Sequence, residues 1–214
     1  MNIVASVGEK RRVLADRPES TFSSGLYRNH HNPSRLIDRF TLADGRAVTV
    51  RPVLPQDKNA EQAFVKALSF ESRRRRFHVG VGALSDAALR YLTDLDNQVH
   101  VALVAETCDE LPKRAIVADA RYVMDYGGRT ADFAIAVADT WQRVGLGKQL
   151  MRRLARHAGQ KGVRLLTGDV LMSNAPMIAL VSRLGGYFTP HPDDPFLLKA
   201  HCRIEPPQHQ VGES

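Results

Sequence analysis

The sequence predicts an α/β (α+β) domain in which helices flank a mixed central sheet. The first half of its patterned region holds β-rich runs joined by short turns, with short helices between them. The second half alternates strands and helices in the order β-α-β-α-β. At Gly147 the period of the apolar residues changes from two to about 3.6, which marks a strand followed by a helix.

Three segments differ in composition along the 214-residue chain. Residues 1–38 are polar, basic and without a lasting period, so we expect a flexible or extended N-terminal segment. Residues 39–203 carry the apolar pattern of one folded domain, large enough to need no disulfide. Residues 204–214 resemble the first segment and predict a flexible tail.

The first patterned residues predict a hairpin and three helices. Ala43-Asp44-Gly45 lies between two β-rich runs, as in a hairpin turn. Residues 57–68 carry apolar side chains at helical spacing. Ser69 or Ser72 is a candidate cap for the helix that follows, and Ser85 for a short helix to residue 93.

The remaining elements are strands and two longer helices. The β-rich runs cover residues 100–106, 114–124 and 129–137, and the first two are joined by a polar loop. A helix with leucines four residues apart follows Gly147. After it come an apolar strand over 163–171, a helix over 175–186 with Asn174 as its N-cap, and a last strand near residues 196–204.

Composition restricts the class of protein. The net charge of +7 is compatible with an anionic ligand, but the few aromatic residues are not interleaved with the basic ones, which argues against nucleic-acid binding. No apolar run reaches the roughly 18 to 20 residues of a membrane span, and none predicts a signal peptide. Cys108 and Cys202 lie far apart, so we expect a cytoplasmic protein.

The stretch "WQRVGLGK" (141–148) carries the functional signal, because it joins a strand to a helix. The first turn of a helix exposes about four free N–H groups with partial positive charge. Gly145 and Gly147 leave them uncovered, Arg143 and Lys148 add charge, and Leu146 can anchor the loop in the core. This pattern indicates a pyrophosphate cradle, although the glycines could instead serve only the geometry of the turn.

Two other phosphate motifs do not fit these residues. In a P-loop, a Ser or Thr would follow Gly147-Lys148, where this chain has Gln149. A dinucleotide fingerprint would require a third glycine at position 150, which is Leu150.

The segment "QRVGLG" resembles the Q/R-x-x-G-x-G/A motif of the GCN5-related N-acetyltransferases. The block "ADFAIAVADTWQRVGLG" through "APMIALVSRLGG" and the segments "RPVLPQD" and "LSFESRRRRF" are also similar to that family, in particular to bacterial protein-lysine acetyltransferases. The likeness covers residues 40–190 and implies a mostly antiparallel central sheet. It also implies transfer of an acetyl group from acetyl-CoA to an amine, without a metal.

The resemblance further implies which residues bind the coenzyme. The loop residues would hold the pyrophosphate: Gln142, Arg143, Val144, Gly145, Leu146, Gly147 and Lys148. Asn174 stands where the family often has an Asn that bonds the cofactor. Backbone groups of Ile135 and Val137 are expected to face the pantetheine amides.

Asp132 is the candidate general base. It shares a face with Ala134 and Ala136, and this nearly bare face would leave room for an amine. An alkylammonium must lose a proton before it attacks a thioester, and a carboxylate can accept that proton. The related lysine acetyltransferases carry Glu here, so a water relay or an ordinary solvated carboxylate stays open. Asp139 is the rival, with the character of a cap.

The acceptor and several side features stay open. A protein lysine is favoured over a small amine, and the alternative function is an inactive acyl-CoA-binding sensor or interaction module. A homodimer is an open alternative for the assembly. His30-His31, His191 and His201 show no metal-ligand spacing. Arg73–Arg76 is interpreted as a solvated helix face, with a role at an acidic partner or at the adenosine phosphate as the alternative, and the family's Tyr acid is replaced by Val181.

Overall fold

The central element is one twisted sheet in a computed structural model that describes residues 36–78, 82–107 and 115–205. Within these residues eight strands pair in the order β1-β2-β3-β4-β5-β6-β8-β7. The strands are β1 Asp38–Thr41, β2 Ala47–Pro52, β3 His100–Thr107, β4 Ile116–Met124, β5 Thr130–Val137, β6 Leu165–Leu171, β7 Tyr187–Pro190 and β8 Leu197–Arg203.

Neighbouring strands run antiparallel throughout, except for β5 and β6, which are parallel. A parallel pair requires a crossover connection, and the helix that follows Gly145 supplies it. The predicted mixed, mostly antiparallel sheet flanked by helices is therefore confirmed.

Five helices of the described residues cover the two faces of the sheet. They are α1 Lys58–Ala67, α2 Phe70–Phe77, α3 Asp86–Thr93, α4 Leu146–Gln160 and α5 Ala175–Arg183. The hydroxyl of Ser69 caps α2 by accepting from the Ser72 N–H, and that of Ser85 caps α3 by accepting from the Ala88 N–H. Both capping residues were candidates from the sequence, because a serine oxygen satisfies an N–H that the first turn leaves free.

The sheet separates two apolar cores. On one side α4 packs the fully buried leucines at 146, 150 and 154 against Phe133 and Ile135 of β5. On the other side α1, α2 and α3 pack against β3, β4 and Ala136 of β5. Successive residues of β5 thus point into different cores, as the alternation of a strand requires.

A buried ionic cluster lies in the second core. It consists of Glu61, Arg76, Asp119 and Arg121, each at most 7% exposed. Arg121 donates from Nε to Asp119 Oδ1 across 3.0 Å, and Arg76 Nη2 lies 3.7 Å from the same oxygen. Burial, helped by the charge of Asp119, raises the pKa of Glu61 well above its usual value. For Asp119 burial acts in the same direction, but Arg121 outweighs it and lowers the pKa.

The interpretation of Arg73–Arg76 as a solvated helix face is wrong for Arg76, which is buried. Its side chain is 6% exposed and paired with Asp119, whereas Arg75 and Arg74 pair on the surface with Glu71. A run of four arginines gives no sequence signal for the one that turns inward. Its burial depends on an acidic partner from a distant strand.

The end of α5, the start of β6 at Leu165 and an additional short strand differ from the sequence prediction. Helix α5 ends at Arg183, because Gly185 has a φ of +78° and Gly186 passes so close to the core that a Cβ there would lie 2.6 Å from Val181 Cγ1. The chain then forms β7, a short exposed edge strand that the sequence pattern did not reveal. Strand β1 begins at Asp38 and β8 ends at Arg203, while His30, His31 and Cys108 lie outside the described residues. No helix within the described ranges is long and apolar enough to cross a bilayer.

Candidate active site

The glycine loop, residues 141–148, connects β5 to α4 through two left-handed backbone positions. A 3-10 turn over Asp139–Trp141 follows the strand, then Arg143 has a φ of 64° and Gly145 a φ of 92°. Leu146 begins α4 and is fully buried, so it anchors the loop as expected. Trp141 packs beneath Arg46, whose guanidinium carbon lies 3.9 Å from the centroid of the indole ring.

The N-terminus of α4 is open to an anion. Gly145 is its N-cap and offers no side-chain hydrogen bond, and the first turn contains no acidic residue. The first helical bond runs from the Gln149 N–H to the Gly145 oxygen across 3.1 Å, so the N–H groups of Leu146, Gly147 and Lys148 precede it. Arg143 and Lys148 are exposed beside them, while Val144 packs against the core.

Gly147 borders a narrow apolar slot between α5 and β5. A Cβ at this position would lie 3.6 Å from Leu180 Cδ2, 3.8 Å from Val137 Cγ2 and 3.9 Å from Ile135 Cδ1. A methyl group would therefore fit, but any longer side chain would fill the slot. The missing side chain therefore leaves the first turn of α4 uncovered where it faces Ile135 and Val137.

Strands β5 and β6 stop pairing halfway along their length. Three residue pairs join them, ending at Asp132 opposite Thr167, although both strands continue. At the last contact Gly168 approaches Phe133 so closely that a Cβ would lie 3.0 Å from the Phe133 oxygen. Beyond it, residues 133–137 pair with β4 alone within the described part of the chain. We call their other side the open edge of β5.

The open edge presents backbone groups of Ile135 and Val137. Just after the strand, the Ala138 N–H donates to the Val117 oxygen of β4 across 2.8 Å. Along an antiparallel strand, the backbone N–H and C=O groups of alternate residues point toward the partner strand and away from it. Residues 133, 135 and 137 therefore direct these groups away from β4. The Val137 oxygen accepts a hydrogen bond there from Gln142 Nε2 across 3.0 Å.

Asp139 joins the loop after β5 to the start of α2 through hydrogen bonds of its carboxylate. Its carboxylate accepts hydrogen bonds from the Ser69 N–H at 2.8 Å and from the hydroxyls of Ser69 and Ser72, both at 2.7 Å. Burial opposes ionisation, yet these donors outweigh it and lower the pKa of Asp139. The hydrogen bonds of its carboxylate go to the start of α2, which matches the loop or cap character expected from the sequence.

Asp132 lies at the point where β5 and β6 separate. Its side chain is 19% exposed and accepts a hydrogen bond from the Thr167 hydroxyl on β6. Lys199 Nζ, from β8, lies 3.8 Å from its Oδ1. The face it shares with Ala134 is open here, but Ala136 is 9% exposed beneath α1 and α2, so the bare face is narrower than the sequence suggested.

A second carboxylate, Asp169 of β6, was missed in the sequence. Its Oδ1 lies 2.8 Å from Lys199 Nζ and 3.7 Å from His191 Nε2. His78, the left-handed C-cap of α2, lies near the same carboxylate. Burial lowers the pKa of His78, and the negative charge of Asp169 offsets only part of that effect. The alternation of side chains along β6 places Asp169 on the same face as Thr167. That Asp169 also lies near Asp132 and Lys199 depends on the order of the strands in the sheet, which the sequence does not reveal.

Asn174 is buried at the N-terminus of α5. Its Oδ1 accepts from the Met177 N–H across 3.2 Å, and in the described chain no group accepts a bond from its Nδ2. Val181, where the family's Tyr acid would stand, is fully buried. No cluster of three or more His, Cys, Asp or Glu that could hold a metal occurs within the described ranges.

Comparison with known proteins identifies one protein family, two related acetyltransferases and a solved structure that resemble this chain. The family model described as the acetyltransferase (GNAT) family matches residues 66–186. An acetyltransferase of Pseudomonas aeruginosa, PA5475, is 32% identical over 154 residues, which cover 72% of this chain and 82% of that protein. The acetyltransferase Pat of Mycolicibacterium smegmatis is 33% identical over 137 residues, 64% of this chain but 40% of Pat. The GNAT domain of S. lividans PAT superposes with a TM-score of 0.73 at 24% identity, covering 80% of this chain and 99% of that domain.

Proposed function

The chain belongs to the GNAT acetyltransferase family, and from this premise we propose that it acetylates the side-chain amine of protein lysines, with Asp132 as general base. It is an acetyl-CoA-dependent N-acetyltransferase. The observation that carries the finer proposal is the position of Asp132 where β5 and β6 separate, next to the open edge of β5. We also propose residues 39–203 as the catalytic domain, since β1 to β8 lie within one residue of these bounds.

The glycine loop fits the diphosphate of the coenzyme. The uncapped N–H groups of Leu146, Gly147 and Lys148 would donate to phosphate oxygens. Arg143 and Lys148 are exposed beside them and would add formal charge. Side chains of Ile135 and Val137, from the open edge of β5, lie within 4 Å of the Cβ position at Gly147, so a linear arm bound at both places would pass beside it.

The open edge of β5 would bind the pantetheine arm and orient the reacting carbonyl. When bound, acetyl-CoA supplies an acetyl thioester. The Ile135 N–H would donate to the oxygen that becomes negative during transfer, and a fixed backbone donor of this kind is a strong source of catalysis. Asn174 Nδ2 would donate to the arm from the other side of the slot.

Asp132 would accept the proton that the acceptor ammonium loses. The Thr167 hydroxyl engages Oδ1 and fixes the orientation of the carboxylate. Asp is one methylene shorter than the Glu of the related lysine acetyltransferases, and a single water between carboxylate and amine would make up the difference. Asp169 lies on the acceptor side as well, where it pairs with the ammonium of Lys199.

The test compares Asp132→Asn and Asp132→Glu with the wild type. With acetyl-CoA and a library of lysine peptides and small amines, we expect the Asn variant to lose about 10²- to 10⁴-fold in kcat/KM. The Glu variant should retain most activity, and coenzyme affinity should be equal in all three proteins. Equal turnover by the Asn variant would remove Asp132 from the mechanism. Coenzyme binding without turnover of any amine would favour the alternative function of a sensor.

A further inference from the structure

Lys199 reaches across the sheet to the proposed base. It lies on β8 opposite Asp169 of β6, while Asp132 belongs to β5, on the far side of β6. Its Nζ lies 2.8 Å from Asp169 Oδ1 and 3.8 Å from Asp132 Oδ1. An amine of the chain itself thus lies between the two carboxylates of the acceptor side.

The position of this amine matches what the proposed reaction asks of an acceptor. A general base acts within hydrogen-bond reach of the proton that it removes, or through one water. The distance of 3.8 Å is slightly beyond a direct hydrogen bond, and the Lys199 side chain is 27% exposed, so water can enter. Another lysine in the described chain, Lys66 of α1, is exposed.

We propose that Lys199 is an intramolecular acceptor, so that the chain acetylates its own Lys199; this inference rests on the proposed function. Asp132 takes one proton from the ammonium and passes it to solvent. The Nζ then forms a bond to the acetyl carbonyl carbon, and the C–S bond of the thioester breaks. The second proton from the nitrogen ends on the departing thiolate, which gives an N-acetyl-lysine, coenzyme A thiol and one released proton.

One physical effect favours Lys199 over an amine from solution, and its acetylation would have one electrostatic consequence. An amine that the fold already holds near the base needs no bimolecular encounter, which raises its effective concentration. The acetylated side chain is neutral, so the ion pair with Asp169 is lost and both carboxylates become available to another cation. The modification would therefore change the electrostatics of the acceptor side.

The experiment maps acetyl groups by peptide mass spectrometry after incubation of the full chain with acetyl-CoA alone. We expect Lys199 to be acetylated at least about 10²-fold faster than in Asp132→Asn, since the base contributes about that much or more. Lys66 serves as the reference for spontaneous acetylation and should react equally slowly in both proteins. The rate constant at Lys199 should be independent of protein concentration. Equal rates at Lys199 in both proteins would overturn the proposal.

A mixture of two variants separates intramolecular from intermolecular transfer. Asp132→Asn keeps Lys199 but lacks the base, and Lys199→Arg keeps the base but lacks this acceptor. We expect Lys199 of the Asn chain to stay unmodified in the mixture. Its acetylation would show transfer between chains and would overturn the intramolecular step.

A further measurement needs no coenzyme. The Lys199 side-chain resonance, observed with ¹³Cε-labelled lysine, should shift between the wild type and Asp132→Asn, because the ammonium lies beside that carboxylate. An unchanged resonance would place the amine elsewhere and contradict the proposal. If lysine peptides are acetylated but Lys199 is not, this inference alone fails. If no amine at all is acetylated, the proposed function fails with it.

Discussion

The side-chain amide of Gln142 donates a hydrogen bond to the carbonyl oxygen of Val137 across 3.0 Å. The same Nε2 donates to Ser72 Oγ across 3.2 Å, and the Ser72 hydroxyl donates to Asp139. The glycine loop, the end of β5 and the start of α2 are therefore joined in one polar network. Gln142, expected from its motif to touch the coenzyme, here shapes the backbone on which the coenzyme would lie.

Replacing Gln142 by Leu should weaken acetyl-CoA binding through the loop rather than through a lost ligand contact. Two hydrogen bonds worth about 0.5–1.5 kcal/mol each would be lost, and we expect the dissociation constant to rise about tenfold. Isothermal titration calorimetry measures the affinity, with Gln56→Leu on the exposed 3-10 turn before α1 as control. An unchanged affinity would show that the loop holds its shape without this network.

Alanine substitutions at the two glycines of the loop should affect different quantities, the free energy of unfolding at Gly145 and the affinity for the coenzyme at Gly147. Gly145→Ala places a Cβ in open space but keeps a φ of 92°, so we expect a loss of about 1–2 kcal/mol in the free energy of unfolding. Gly147→Ala makes only ordinary contacts, so stability should stay within about 0.5 kcal/mol while coenzyme affinity falls.

Gly147→Trp extends the same series by filling the slot, and should abolish coenzyme binding. Thermal melting with and without acetyl-CoA reads both quantities, because a ligand at a hundred times its dissociation constant adds about 2.7 kcal/mol. Retained affinity in a folded Trp variant would place the diphosphate elsewhere.

Asp139 should make the stability of the chain depend on acidic pH. Its pKa is lowered in the folded state, so its contribution is present above the unfolded value of about 3.9 and is lost as the pH falls through the folded pKa. We expect Asp139→Asn to cost about 1 kcal/mol near neutral pH, a modest figure because the residue is exposed to solvent. Urea unfolding from pH 7 to pH 3 should show the gap between the two proteins closing. A gap that is constant with pH would contradict this assignment.

The buried ionic cluster should respond unequally to two similar substitutions. Burial disfavours the charged form of Glu61, as its raised pKa indicates, so Glu61→Gln should change the free energy of unfolding by less than about 1 kcal/mol. Asp119→Asn removes the charge that pairs with Arg121 and Arg76, and should cost about 3–5 kcal/mol. Chemical denaturation at neutral pH compares the two variants, and equal losses would contradict the expected difference between the two carboxylates.

Local residue chemistry predicted most of the elements that position the site. Ser69 and Ser85 cap helices as predicted, because capping depends on residues only three positions apart. The change of period at Gly147 located the start of α4 to within one residue, since Leu146 and Leu150 must both face the core. The four-residue strand β7 escaped prediction, because an exposed edge strand carries no apolar alternation.

The sequence by itself determined the turn with its left-handed glycine, the helix that follows it and the carboxylate that precedes it on a strand. These features depend on neighbours in the chain, whose geometry backbone sterics and hydrogen bonding already restrict. Only the tertiary structure decided that Asp132 would meet Thr167, that Asp169 would share Lys199 with it, and that Arg76 would turn inward to Asp119. Such contacts depend on which strands become neighbours, and that order follows from how the whole chain buries its apolar faces.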